Sequence, residues 1–131
     1  MLKEIGLSDS RKLSLPKDQL VYVARNRGNN ELAPSENSLK EFKKKSSEYG
    51  ETSEAHNKVF KETNYEQRFR KEILSNPDAL KKLEKFSNES KEKDIYFVCY
   101  EGPTKACHRR ILLRICEEKF GAKVQIEGVE P

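Results

Sequence analysis

The chain has 131 residues, 37% of them charged and 34% hydrophobic, with 26 Lys and Arg against 22 Asp and Glu. That length excludes two full domains and supports one modest core, and the longest apolar run, residues 95–100, is far too short to cross a bilayer. A net charge of +4 permits attraction to phosphate-bearing partners without demanding it, and a mixed, solubilising surface accounts for it better than a nucleic-acid stripe.

The first six residues, Met1 to Gly6, lack the apolar stretch of a secretory leader. The expected compartment is therefore the reducing cytoplasm. There the odd set of cysteines, Cys99, Cys107 and Cys116, reads as free thiols rather than a disulfide framework. Residues 20–24 are apolar and β-rich and predict a buried strand. The polar stretch 25–30 follows, with Gly28 as its turn residue. Ser35 or Asn37 is placed to cap a helix running through Leu39 and Phe42. Residues 46–53 carry no apolar period and predict a polar loop or frayed helix end.

Tyr65, Phe69 and Ile73 recur at i, i+4 and i+8, the narrow stripe of an amphipathic helix. Asn76 and Pro77 restart the chain as cap and first helical residue. The helix they open carries Leu80, Leu83 and Phe86 and ends in residues 87–90. Residues 94–99 are continuously apolar after Asp94, which suits a strand covered on both faces, as in a parallel sheet. A last helix is predicted from about Cys107 to Phe120, stopped by Gly121. Residues 122–126 then predict a short strand with Val124 and Ile126 on one face.

This order predicts an α/β fold, a single compact domain over 1–131 with a small, mostly parallel sheet flanked by helices. Ligands in such sheets bind beyond the carboxyl ends of the strands. The two predicted inner strands end at Arg25 and Cys99.

The chemistry is concentrated in residues 99–109, where Cys99, Glu101, Cys107, His108 and Arg109 follow one another around a Gly102-Pro103 turn. On a helical wheel the apolar residues between Ile111 and Phe120 fill one arc, and His108 and Arg109 fall within it. Arg110 and Arg114 fall outside and are predicted to face solvent, with Arg114 pairing to Glu118. A helix start beside Arg109 makes a candidate anion site for phosphate or carboxylate. The same field favours a Cys107 thiolate. Cys107 and His108 are neighbours and point about 100° apart, so adjacency alone makes no dyad.

Each residue also has a plainer explanation. Cys99 and Cys107 could be packed thiols, Cys116 core, His108 bonded to a backbone carbonyl, and Glu101 paired with Arg109. Cys99, Cys107 and His108 lack zinc-finger spacing and a second ligand pair, and His56 stands alone in a polar segment. Neither a metal nor a cofactor is expected. Cys99 and Lys105 bracket a loop like that of cysteine phosphatases and rhodaneses in topology only. Lys105 replaces the required Arg, and Pro103 removes a donor.

Cys99-Tyr100-Glu101 followed by Cys107-His108-Arg109 resembles the C-x-E…C-H-R signature of the domain of unknown function 488 family. Arg27-Gly28, then Leu32 to Ser35, the helix 65–74 and Asn76 to Leu80 resemble its YeaO-like branch in order. The resemblance covers about residues 20–120 and implies a compact α/β domain whose members have no settled activity. It assigns Cys99, Glu101, Cys107, His108 and Arg109 to the signature. Arg25 and Arg27 stand where relatives carry an Asp-x-Arg type sequence. Val23 and Ala24 precede Arg25 here, so the acidic member is absent.

Two functional classes compete. The first is an enzyme on a nucleotide-like or phosphorylated substrate. Arg25 or Arg27 with Arg109 would clamp the anion, Glu101 or His108 would move protons, and Cys99 or Cys107 would be the nucleophile. The second is a nucleic-acid or protein binding module in which the C-H-R residues are structural. Its loops lack the interleaved aromatics of single-strand binders. No membrane partner is expected.

Overall fold

The protein is described by a computed structural model over residues 1–130. The elements run β1 (Leu2–Gly6), α1 (Leu7–Lys12), β2 (Leu20–Tyr22), α2 (Glu36–Tyr49), α3 (Ser53–Glu62), α4 (Tyr65–Leu74), α5 (Pro77–Glu89), β3 (Ile95–Cys99) and α6 (His108–Phe120). Three parallel strands form one sheet in the order β1-β3-β2. The apolar run of β3 is explained by this central position: Ile95, Phe97, Val98 and Cys99 are all buried. The bond from Val23 N–H to the Val98 carbonyl, 3.0 Å, carries β2 one residue further. All three strands point the same way, so Gly6, Val23 and Cys99 share one edge of the sheet, and α6 begins there.

Local chemistry set several boundaries. Ser35, not Asn37, caps α2 by accepting from Ser38 N–H, and Asn76 caps α5 with Pro77 in its first turn. Gly121 ends α6 in the left-handed region, φ 64°. Residues 122–126 make a single parallel bridge, Val124 to Leu2, rather than a full strand.

Residues 46–53, predicted as a polar loop or frayed helix end, hold the last turn of α2, a break at Gly50 and the start of α3, capped by Thr52; the second helix start is what the sequence did not show. α3 buries only His56, Val59 and Phe60, too narrow a stripe for apolar periodicity to reveal it. β1 was not foreseen either. Its inward residues are Leu2, Glu4 and Gly6, so the alternation is broken by a buried carboxylate.

That carboxylate explains the largest departure from the wheel. Arg110 does not face solvent; it is fully buried. Its Nε donates to both Glu4 oxygens at 2.8 and 2.9 Å, Nη1 to the Lys105 and Val129 carbonyls at 2.6 and 2.7 Å, and Nη2 to the Gly102 carbonyl at 3.1 Å. The C-terminal segment and the β3–α6 loop close over this side of the helix. A wheel drawn from α6 alone cannot show those covering segments. Gly128 lies flat against the guanidinium, where a Cβ would come within 2.0 Å of Arg110 Nη2. Arg114 pairs with Glu117 and Glu130 rather than Glu118, which meets Arg70.

Gly6 is constrained in the same way. A Cβ there would sit 2.9 Å from the Glu101 carbonyl oxygen, a backbone atom. Gly6→Ala is expected to push the β3–α6 loop outward and destabilise the protein by about 1–3 kcal/mol, as overpacking does. A urea midpoint equal to that of the wild type would show that the contact is not tight.

Candidate functional site

Beyond the carboxyl ends of β2 and β3 lies a cavity of about 700 Å³, within the range of small-molecule sites. α2, α3 and α4 form its outer wall, because the packing that buries their apolar stripes turns Phe42, Phe60 and Tyr65 inward. Phe60 stacks on Tyr65 with centroids 4.1 Å apart, and Phe42 meets both edge-on at 5.8 and 5.7 Å. Arg25, Lys43 and Lys105 stand on the lining against two carboxylates, Glu51 and Glu101. The inner end is made of Cys99, Cys107 and His108.

His108 is the pivot of this end. Its Nε2 lies 2.8 Å from the Val23 carbonyl. A carbonyl only accepts, so Nε2 carries a hydrogen and Nδ1 is the nitrogen left to exchange a proton with the sulfurs. Nδ1 faces both sulfurs, Cys107 Sγ at 3.7 Å and Cys99 Sγ at 3.9 Å. Phe69 meets the imidazole edge-on at 5.4 Å and fixes its plane. Cys107 is the N-cap residue of α6, and its extended φ and ψ (−145°, 147°) place its sulfur beside the neighbouring histidine.

The two thiols are driven apart in acidity. Burial would raise Cys107, but the hydrogen bond from Cys99 and the charges of His108 and Arg109 outweigh it and hold Cys107 well below the ordinary thiol range. Cys99 is raised, first by its hydrogen bond to Cys107 and then by burial. Cys116 lies apart in the core, where burial pushes its thiol up to about 11. All three cysteines are free.

The other sequence candidates divide. Glu101 lines the cavity, and its carboxylate makes no ion pair among the described residues. The predicted Glu101–Arg109 pair exists only through the Glu101 backbone carbonyl, which accepts from Arg109 Nη1 at 2.7 Å. Arg109 itself turns away from the cavity. It is 1% exposed, with Nε and Nη2 each 3.0 Å from Glu4 Oε1. Arg25 stands on the rim, its Nε and Nη2 donating to the Pro34 carbonyl. Arg27 is exposed outside the lining, bonded to the Tyr100 hydroxyl at 3.0 Å and stacked on its ring. Of the three arginines proposed to bind an anion, only Arg25 reaches the cavity.

Sequence reasoning missed three contributors. His56 is not isolated: it is buried, with Nε2 2.7 Å from the Ala106 carbonyl, and it helps hold the loop that ends at Cys107. Asn57 holds the same loop through Thr104 and Ala106. Tyr65 read as one member of a core stripe, yet its hydroxyl has no hydrogen-bond partner among the described residues and its side chain lines the cavity. Burial, then the nearby cysteine sulfurs, pushes that phenol upward, so it stays protonated. Lys105 was visible only through the phosphatase comparison.

Cys99, Cys107 and His108 also form a group able to hold a metal, their donor atoms all lying within 4.8 Å of one another.

A family model, DUF488-N3a, described as the active DUF488-N3 subclade, matches residues 4–120. No curated protein and no solved structure matches the chain.

Proposed function

The chain belongs to the DUF488 family, in the subclade described as active, and from that premise we propose that it is an enzyme acting on a small phosphate-bearing, nucleotide-like substrate. The reaction centre in this reading is the Cys99–Cys107–His108 cluster. The observation that carries it is the pinned imidazole: His108 turns one nitrogen to a backbone carbonyl and the other to two thiols, at the inner end of a cavity large enough for a nucleotide. A histidine present only for packing has no need of two cavity-lining sulfurs on its free side.

The cavity suits such a substrate on two counts. The Phe42, Phe60 and Tyr65 rings offer an aromatic wall on which a planar base can pack. Arg25, Lys43 and Lys105 supply positive charge near the mouth. In its simplest form the nucleophile is the Cys107 thiolate, with Nδ1 of His108 taking its proton. Tyr65 and Glu101 are the groups free to give or accept a proton at the substrate. The structural alternative for the C-H-R residues is kept for Arg109 alone.

A second reading rests on the exposed Arg27–Tyr100 pair at the strand ends, a cation stacked on a ring that is 55% exposed. In that reading the chain binds nucleic acid, and its affinity falls steeply with salt.

Binding of inorganic phosphate, mononucleotides and sugar phosphates, followed by calorimetry and by chemical shifts of cavity residues, separates the two. Affinity for one class of the panel is expected, weakened about ten- to hundredfold in Lys105→Ala, the worth of one charged hydrogen bond. No binding across the panel, or an unaltered affinity in Lys105→Ala together with steep salt dependence for oligonucleotides, would sink the enzyme reading.

A further inference from the structure

We propose that Cys99, Cys107 and His108 bind one zinc-type divalent ion, with a fourth coordination position open to the cavity. The inference rests on this cluster being the reaction centre and names what the centre holds. It reverses the expectation drawn from spacing alone, that no metal is bound.

The hydrogen-bonding arithmetic comes first. Nδ1 of a neutral imidazole has one lone pair, yet two sulfurs stand at nearly equal distances from it, 3.7 and 3.9 Å. Once both sulfurs are deprotonated, three lone-pair donors stand within 4.8 Å of one another. A single cation between the three atoms satisfies all of them. Zinc lies about 2.3 Å from sulfur and about 2.0–2.1 Å from nitrogen, which at tetrahedral angles separates N from S by about 3.6 Å. The observed separations exceed this by only a few tenths of an ångström, so binding needs little movement.

The second shell has the required form. A histidine that ligates a metal donates its other ring N–H to a carbonyl or carboxylate, and this fixes the tautomer. The Val23 carbonyl at 2.8 Å does that for His108, and Phe69 holds the ring plane. Both constraints aim a lone pair at the sulfurs before any ion arrives.

Ligand count then separates a catalytic site from a structural one. Structural zinc is closed by four protein ligands, whereas catalytic zinc keeps three and leaves a position for water or substrate. Among the described residues the group holds three donors, and all three residues line the cavity. Two sulfurs and one imidazole nitrogen favour zinc over magnesium or calcium, which prefer oxygen. Charge balances on binding: both sulfurs bind as thiolates and the imidazole binds neutral, so the two protons the three groups share in the metal-free state go to solvent as one doubly charged ion enters. Held there, the ion would supply an acidified water as nucleophile in place of the Cys107 sulfur. Tyr65 and Glu101 keep the places they have in the metal-free description.

The spacing hid this site for a structural reason. The β3–α6 loop between Cys99 and Cys107 is shaped by Asn57, His56, Arg109 and Arg110, which bond its backbone at Thr104, Ala106, Glu101, Gly102 and Lys105. The loop has no need of the tight turn by which zinc ribbons bring cysteines together.

The test uses the full chain, stripped of metal under reducing conditions and titrated with Zn2+ alone against a chromophoric chelator, and separately with Co2+. One ion per chain is expected. The cobalt form should show sulfur-to-cobalt charge-transfer bands in the near ultraviolet and the intense visible bands of a tetrahedral site. Cys116→Ser should leave uptake and spectrum unchanged, and Cys99→Ser and Cys107→Ser should each lose the ion. If those two variants fail to fold, the wild-type and Cys116→Ser cobalt spectra still decide. Absence of a bound ion, or a bound ion without sulfur charge transfer, overturns the proposal. A chain that binds the ion but turns over nothing sinks the enzymatic reading and leaves the metal site standing. Full turnover by the stripped chain sinks the metal-bound water as nucleophile.

Discussion

Glu4→Gln is expected to lower the free energy of unfolding by about 3–5 kcal/mol, the cost of removing one partner from a buried ion pair. Among the described residues Glu4 is the one carboxylate bonded to both guanidiniums, and its side chain is 3% exposed against 1% for Arg109 and 0% for Arg110. The excess positive charge is spread over carbonyls of Glu101, Gly102, Lys105 and Val129. An amide at position 4 can keep a hydrogen bond or two but leaves two buried cations without a counter-charge. Neither arginine can regain water without opening the β3–α6 loop and the C-terminal segment.

Urea unfolding with an unchanged m-value measures the loss. Glu130→Gln is the control. Glu130 also pairs with an arginine, Arg114, but at the surface, with side chains 38% and 42% exposed. An exposed pair of that kind contributes at most about 1 kcal/mol. Equal effects from the two variants would mean that the Glu4 pair is wet. The sequence role given to Arg109 would then be open again, because a solvated arginine could turn to the cavity.

How far the sequence could be read follows the range of the forces involved. α4 and α5 were legible in the chain because a stripe at i, i+4 and i+8 and an Asn-Pro start are local signals. β3 was legible because a strand covered on both faces must be apolar throughout. β1 was not, since Glu4 stands where an apolar residue was required, and only the arginines on α6, more than 100 positions away, make that carboxylate tolerable. The family match begins at residue 4, ahead of the stretch from about residue 20 whose motifs resemble the family, and so takes in Glu4.

The candidate site was legible as a motif but not in its geometry. Cys99, Cys107 and His108 were picked out as a chemically loaded motif, and they do meet. The wheel placed Arg109 correctly on the buried face of α6, but that face covers both the cavity floor and the flank of β1. Periodicity cannot choose between them; Glu4 does. Conversely, periodicity classed Tyr65 with Phe69 and Ile73 as core, and it cannot report that the ring's far end emerges beside two cysteines.

That emergence gives the sharpest functional test. Tyr65→Phe is expected to leave stability within about 0.5 kcal/mol of the wild type, because the hydroxyl has no hydrogen-bond partner to lose among the described residues and faces the cavity. The phenyl ring keeps its stack on Phe60 and its place in the wall. Turnover of a substrate that binds the cavity should nevertheless fall about 10²–10³-fold, the usual consequence of removing one hydrogen-bond donor aimed at developing charge. The loss should appear in kcat more than in KM, since the interaction strengthens only as charge develops. A hydroxyl that merely contacts bound substrate would raise KM and spare kcat. A fall in melting temperature matching the fall in activity would instead assign Tyr65 to packing, as its place in the stripe suggests. Tyr65→Phe with unimpaired kcat would remove this residue from the chemistry and leave the proton transfer to the carboxylates on the cavity wall, Glu101 and Glu51.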